Sequence, residues 1–208
     1  MTEEDDSYDR SGIRRGTLVS ASLRARVMRR FLFLLGSARR GGNAETLARR
    51  AADQLPVSAW QRWLHLDDHP LPPFRDIRHV GAGAYPPPKG NEKLLIEATL
   101  DATDLVIVSP LYWYSVSATT KLYLDYWSGW MRVPGYDFRK RMGGKTTWAV
   151  TAISEEDQSV VDPLVGMLRR SGEYFGGRWG GALVGYANRP GDILRDADAL
   201  ERAKTFFT

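Results

Sequence analysis

Five short apolar runs, each followed by a segment of helical character, constrain what this chain can fold into more than any other feature of its sequence. Residues 31–35 form a continuous apolar run that stops at Gly36, as expected of a strand buried on both faces. Segments 60–66, 105–108, 146–152 and 179–186 read as four further strands. Between and after them, segments 43–55, 91–102, 118–127, 160–175 and 197–207 read as helices; in the first, Ala44, Leu47, Ala48, Ala51 and Leu55 recur at helical spacing before Pro56. Strict alternation of this kind requires right-handed crossovers and a parallel sheet covered on both faces. The sequence therefore predicts one three-layer α/β domain over residues 30–208, with a five-stranded parallel sheet and helices on both faces. Segment 67–90 is expected to be a loop, because Pro70, Pro72, Pro73, Pro86, Pro87 and Pro88 exclude a helix interior or a central strand.

Residues 1–29 read as a charged N-terminal extension. Up to Arg30 there are five acids and seven arginines, without sustained periodicity, and residues 1–27 are expected to be dispensable. A nucleic-acid arm would need interleaved aromatics and longer basic runs, so no nucleic-acid partner is expected. The 208 residues carry a net charge of +4 and contain no cysteine, which excludes disulfides, cysteine-ligated metals and thiol nucleophiles. No apolar run reaches the ~18 residues a spanning helix needs, nor does the N-terminus carry a secretory-type apolar stretch. The expectation is a cytoplasmic protein with no membrane partner.

Ligands of such sheets sit beyond the carboxyl ends of the strands, where strand order reverses. The loops to examine are therefore 36–43, 109–117 and 153–157. The first reads Gly36-Ser37-Ala38-Arg39-Arg40-Gly41-Gly42-Asn43 and leads into a helix, whose unpaired N–H groups suit an anion. Ser37 can donate its hydroxyl, Arg39 can make a bidentate contact, and Asn43 can cap the helix or donate to a phosphate oxygen. Neither the dinucleotide fingerprint nor the nucleoside-triphosphate loop matches: Ala38 replaces the second glycine of one, and Gly42 stands where the other has lysine. An ordinary glycine-rich turn capped by Asn43 remains the alternative for the loop taken alone.

The second loop, Ser109-Pro110-Leu111-Tyr112-Trp113-Tyr114-Ser115-Val116-Ser117, places three successive aromatics at the ligand edge. Nine of the chain's 23 aromatics fall within residues 112–138. Such density predicts that some rings form an interface between subunits, the alternative being an intramolecular cluster.

Together, a first loop of the form G-S-x-R-x-x-G-N and a second of the form S-P-L-Y-W-Y-S-V-S-A-x-x-K-x-x-x-D make the sequence resemble the NAD(P)H-dependent FMN reductase and quinone reductase group of flavodoxin-like proteins. The resemblance runs from about Arg30 to the C-terminus. It implies a flavodoxin-like fold, with FMN phosphate held by Ser37, Arg39, Asn43 and the backbone of Ala44. It implies that Pro110, Leu111, Tyr112, Trp113, Tyr114 and Val116 line the flavin, and that a third loop including Thr151, Ser154 and Glu155 approaches its pyrimidine end. Two departures stand out: Ala38 replaces a frequent proline, and residues 152–156 lack the usual glycines. The implied reaction is a ping-pong hydride transfer from NAD(P)H as cosubstrate, through FMN, to a small-molecule quinone, flavin, azo or nitro acceptor. No obligatory acid or base is required, so no catalytic side chain is nominated. A homodimer or homotetramer through residues 112–138 is expected.

Without cysteines, the iron–sulfur relatives are excluded. A flavodoxin-type electron carrier would present an acidic face, unlike this net-basic chain, while a non-enzymatic flavin-binding module remains a rival because fold does not fix function. There is no G-x-S-x-G elbow for a hydrolase. His65 and His69, with Asp67 and Asp68 between them, lie at a strand end rather than at helical i, i+4 positions, and read as solvated loop residues rather than metal ligands. Arg132, Arg139, Lys140, Arg141 and Lys145 read as solvated surface charge, with contact to a nicotinamide 2′-phosphate as the alternative.

Overall fold

In the computed structural model, which describes residues 28–208, strand β1 (Arg30–Leu35) is an interior strand of the sheet. It pairs in parallel with β2 (Trp60–His65) on one side and β3 (Asp104–Val108) on the other. β4 (Thr146–Ile153) and β5 (Arg178–Tyr186) continue beyond β3, giving the all-parallel order β2-β1-β3-β4-β5. The period-2 geometry of a strand divides β1 between two cores. Phe31, Phe33 and Leu35 pack with α1 (Asn43–Ala52) and α6 (Ala197–Ala203), whereas Leu32 and Leu34 join α2 (Gly90–Asp101), α3 (Ala118–Trp130) and α5 (Asp162–Glu173). Each such buried side chain contributes roughly 1.5–3 kcal/mol. The three-layer expectation holds, and the expected extension at residues 1–27 lies outside the described residues.

Arg29, assigned to the extension from sequence, belongs to the fold. Its guanidinium pairs with buried Asp104 at 2.6 Å and 3.2 Å, donates to the Phe207 carbonyl, and lies over the Phe31 ring at 4.4 Å. Asp104 also accepts from Thr103 Oγ1 at 2.7 Å and Trp148 Nε1 at 2.9 Å, so the buried carboxylate is surrounded by donors.

The aromatic density of residues 112–138 is absorbed mainly within the chain. Tyr123, Tyr126, Trp127, Trp130 and Phe138 are buried, with Tyr123 edge-on to both Trp127 and Trp130 and Phe138 edge-on to Phe175. Only Tyr112, Trp113 and Tyr114 of the nine are exposed, which narrows any interface of this segment to the second loop. Phe138 and Met142, buried one turn apart, anchor the short helix α4 (Phe138–Met142), an apolar i, i+4 pair set among basic neighbours and not expected from sequence. Segment 67–90 is irregular beyond a 3-10 turn at Leu66–Asp68, as expected, and Phe74 stacks on Tyr85 and meets Tyr126 of α3 edge-on.

Candidate active site

The chain leaves β1 for β2 in one direction and returns to place β3 on the other side, so the loops after β1 and β3 diverge and leave a crevice between them. Gly36 permits the close packing beneath it: a Cβ there would lie 1.8 Å from Thr120 Oγ1. The N-terminus of α3 thus abuts the first loop, with Ser117 Oγ accepting from the Thr120 amide at 3.3 Å and Thr119 Oγ1 donating to the Gly36 carbonyl.

In the first loop, Gly41 turns through φ 59°, and its amide donates to Glu45 Oε2 at 2.9 Å. Burial opposes the charge on Glu45, but the Arg49 hydrogen bond and the Gly41 amide outweigh it and hold the carboxyl below its ordinary range. Gly42 is the N-cap of α1 and supplies no side chain, so the N–H groups of the helix's first turn face the crevice without intrahelical partners. The two arginines of the loop diverge. Arg40 forms a bidentate pair with Asp68, whereas Arg39 is exposed and carries no side-chain partner among the described residues.

The second loop closes on itself. The Tyr112 amide donates to Ser115 O at 2.9 Å and the Ser115 amide to Tyr112 O at 3.0 Å, with Trp113 and Tyr114 at φ 50° and 62°. This is a two-residue turn of type I′ geometry, which ordinarily takes Asn and Gly. Here two aromatics adopt it, and Trp113 is 93% exposed. Buried Ser109 braces the loop's base by accepting from the Ser117 amide and donating to Pro110 O, each at 2.9 Å.

Ser37, Arg39, Asn43, Ala44, Pro110 and Tyr112 converge on a cleft of about 250 Å³. The other expected residues do not line it. Leu111 and Val116 pack into the core; Trp113 and Tyr114 project from the turn; Thr151 is buried within β4, its hydroxyl unpartnered. Exposed Ser154 lies past the end of β4, and Glu155 borders a separate hollow of about 350 Å³ with Glu156 and Tyr186. The third wall of the cleft is instead Ala152 with Ala187 and Asn188. Asn43 also differs from expectation, neither capping α1 nor holding a free amide: Nδ2 donates to Arg189 O at 2.9 Å and Oδ1 accepts from Gly191 N at 3.0 Å. The β5–α6 loop, with its Asn188-Arg189-Pro190-Gly191 turn signal, was legible as a strand-end loop but had not been counted among the candidates.

His65 is nearly buried rather than solvated, its Nε2 3.5 Å from Glu45 Oε2. Among the described residues no group of three or more His, Asp and Glu side chains is arranged to hold a metal ion. No helix of the described residues is long and apolar enough to cross a membrane.

The cleft suits a phosphate monoester. It offers unpartnered first-turn amides, an unpaired guanidinium and a hydroxyl, and Glu45, the one carboxylate among its lining residues, is engaged by Arg49 and Gly41. Residues 29–170 match the family model described as NADPH-dependent FMN reductase. The chain belongs to this family. A Bacillus subtilis protein named as an NAD(P)H-dependent FMN-containing oxidoreductase, YwqN, is 31% identical over 169 residues, covering 81% of this chain and 91% of its own. Among solved structures, the Trp repressor binding protein from Bacillus subtilis is 27% identical at a TM-score of 0.67, covering 86% of this chain and 97% of that one. An NAD(P)H:quinone oxidoreductase from Methanothermobacter marburgensis shares the fold at a TM-score of 0.64 and 14% identity, covering 85% and 93% of the two chains. As a member of the FMN reductase family the protein is an NAD(P)H-dependent oxidoreductase with FMN as its cofactor.

Proposed function

We propose that the chain oxidises NAD(P)H at FMN held in this cleft and reduces a small diffusible acceptor, a quinone, flavin, azo or nitro compound. The observation that carries this reading is the unpaired Arg39 beside the open first turn of α1, at the crevice where strand order reverses. Ser37, Arg39 and the Ala44 amide hold the phosphate, and Pro110 and Tyr112 border the flavin. Held there, FMN would supply two-electron redox chemistry between the nicotinamide and the acceptor. With a quinone acceptor the balance is NAD(P)H, a proton and quinone giving NAD(P)⁺ and hydroquinone, and no side-chain acid or base is required. The protein's part is to fix the cofactor's phosphate, keep one face open and shape the acceptor pocket with Tyr112 and Trp113. The exposed Tyr112-Trp113-Tyr114 turn is the surface through which copies pair as a homodimer or homotetramer, in the cytoplasm where reduced nicotinamide is maintained.

The test is reconstitution with excess FMN, desalting, and measurement of flavin absorbance and of NAD(P)H oxidation with and without acceptor. Retained flavin with acceptor-dependent oxidation in the absence of any reductase partner supports the reading. Retained flavin without oxidation makes the protein an electron carrier or binding module, and absence of flavin overturns the assignment altogether.

A further inference from the structure

We propose that the edge of the sheet opposite the cofactor cleft carries a second anion site, which takes a diphosphate-bearing small molecule. A hollow of about 540 Å³ lies there, at the N-terminal ends of the strands. Its size falls within the usual range for small-molecule sites. A parallel strand of β1's six residues separates the two edges by roughly 16–20 Å, so a ligand here is distinct from the cofactor's phosphate.

Charge defines the guest. Five cations, Arg29, Arg30, Arg141, Lys145 and Arg178, line the hollow against two carboxylates, Asp101 and Asp104. Both carboxylates are already paired, Asp104 with Arg29 at 2.6 Å and Asp101 with Arg30 at 3.4 Å. Arg141 and Arg178 are exposed and have no acidic partner among the described residues. Arg30 Nε is buried and lacks a hydrogen-bond partner among the described residues. Lys145 is 8% exposed, and its ammonium donates to Leu100 O at 2.9 Å and to Ala102 O. An ammonium has three N–H groups, so these carbonyls at the end of α2 leave one unused. Gly143 and Gly144 place no side chain between Arg141 and Lys145.

A lysine that only capped α2 would require no further cations. Three positive charges are in surplus, Arg141 at the end of α4, Lys145 in the α4–β4 turn and Arg178 on β5, none with a carboxylate partner among the described residues, and a diphosphate supplies enough charge for all three. The same placement sets aside the sequence reading in which Arg141 and Lys145 meet a nicotinamide 2′-phosphate at the chain's own cleft, since they lie at the wrong end of the sheet.

Titration of the full chain with inorganic pyrophosphate, at matched ionic strength and with and without saturating FMN, tests the proposal calorimetrically. The expected result is a saturable isotherm whose affinity FMN leaves unchanged. Arg141→Ala with Arg178→Ala weakens it at least about tenfold. Both side chains are exposed, and an unchanged melting temperature of this double variant without pyrophosphate verifies its fold. Three results would each overturn the site: no saturable binding, equal affinity in the intact double variant, or abolition of binding by FMN. The last would assign pyrophosphate to the cofactor cleft.

Discussion

Asn43 Oδ1 accepts a hydrogen bond from the Gly191 amide at 3.0 Å and thereby joins the start of α1 to the loop that follows β5. With Nδ2 on the Arg189 carbonyl, both polar ends of the side chain hold that loop against the cleft proposed to take FMN. Asn43→Ala is expected to lose about 1–2 kcal/mol of preorganisation, read as FMN binding about 5- to 30-fold weaker. Quenching of flavin fluorescence measures it; unchanged affinity would mean the clamp is irrelevant to cofactor binding.

Arg39 and Arg40 are adjacent in sequence but have different partners. Arg39→Ala removes an unpaired guanidinium from the cleft and is expected to weaken FMN binding about 10- to 100-fold. Arg40→Ala removes only an exposed pair with Asp68, worth roughly 0–1 kcal/mol, and leaves FMN affinity nearly unchanged. Riboflavin, which lacks the phosphate, should bind both variants like the parent. A comparable loss of riboflavin binding in Arg39→Ala would refute the phosphate role.

The turn at Trp113 and Tyr114 holds two aromatic residues in left-handed backbone, at a cost of roughly 1–2 kcal/mol each. Replacing them together with Asn and Gly, the residues this turn ordinarily takes, is expected to raise stability by about 1–2 kcal/mol and the melting temperature by a few degrees. If the rings shape the acceptor pocket, acceptor-dependent NAD(P)H oxidation falls in the same protein. A stabilised variant with full turnover would show that the strain serves no catalytic purpose.

Burial, reinforced by Arg141 and Arg30, pulls the Lys145 ammonium down to about 8, against about 10.4 for an unfolded lysine. Below pH 8 the lysine is charged in both states and its burial penalty is fully present. Between about pH 8 and 10.4 the unfolded chain retains a proton that the folded chain has released, so this residue's contribution to stability rises with pH, by about 2–3 kcal/mol. Urea unfolding of the parent and Lys145→Met at pH 7.5 and 10 isolates the effect. The stability difference, parent minus variant, should grow with pH, and a constant difference would contradict the depressed pKa.

The strands and the first loop were legible because their signals are local. An apolar run that ends in glycine reads as a buried strand, and a glycine-rich segment before a helix reads as an anion site. What sequence could not supply were side-chain directions and partners distant in the chain. Along the second loop, Leu111 and Val116 turn into the core while Tyr112 faces the cleft, a division set by the Tyr112–Ser115 turn. Asn43 has the right chemistry for a phosphate but is committed to a loop 146 residues away in sequence. Arg29 looked like one more arginine of a charged arm, because nothing near it reveals that Asp104 lies within reach.

The Arg29 contact with the Phe207 carbonyl brings the residue before β1 and the segment after α6 within one side chain's reach, at the strand edge remote from the proposed FMN cleft. Proximity of termini is what circular permutation needs. A short linker joining Thr208 to Arg29, with the chain reopened in the exposed turn around residues 79–82, would leave every loop of the cleft continuous.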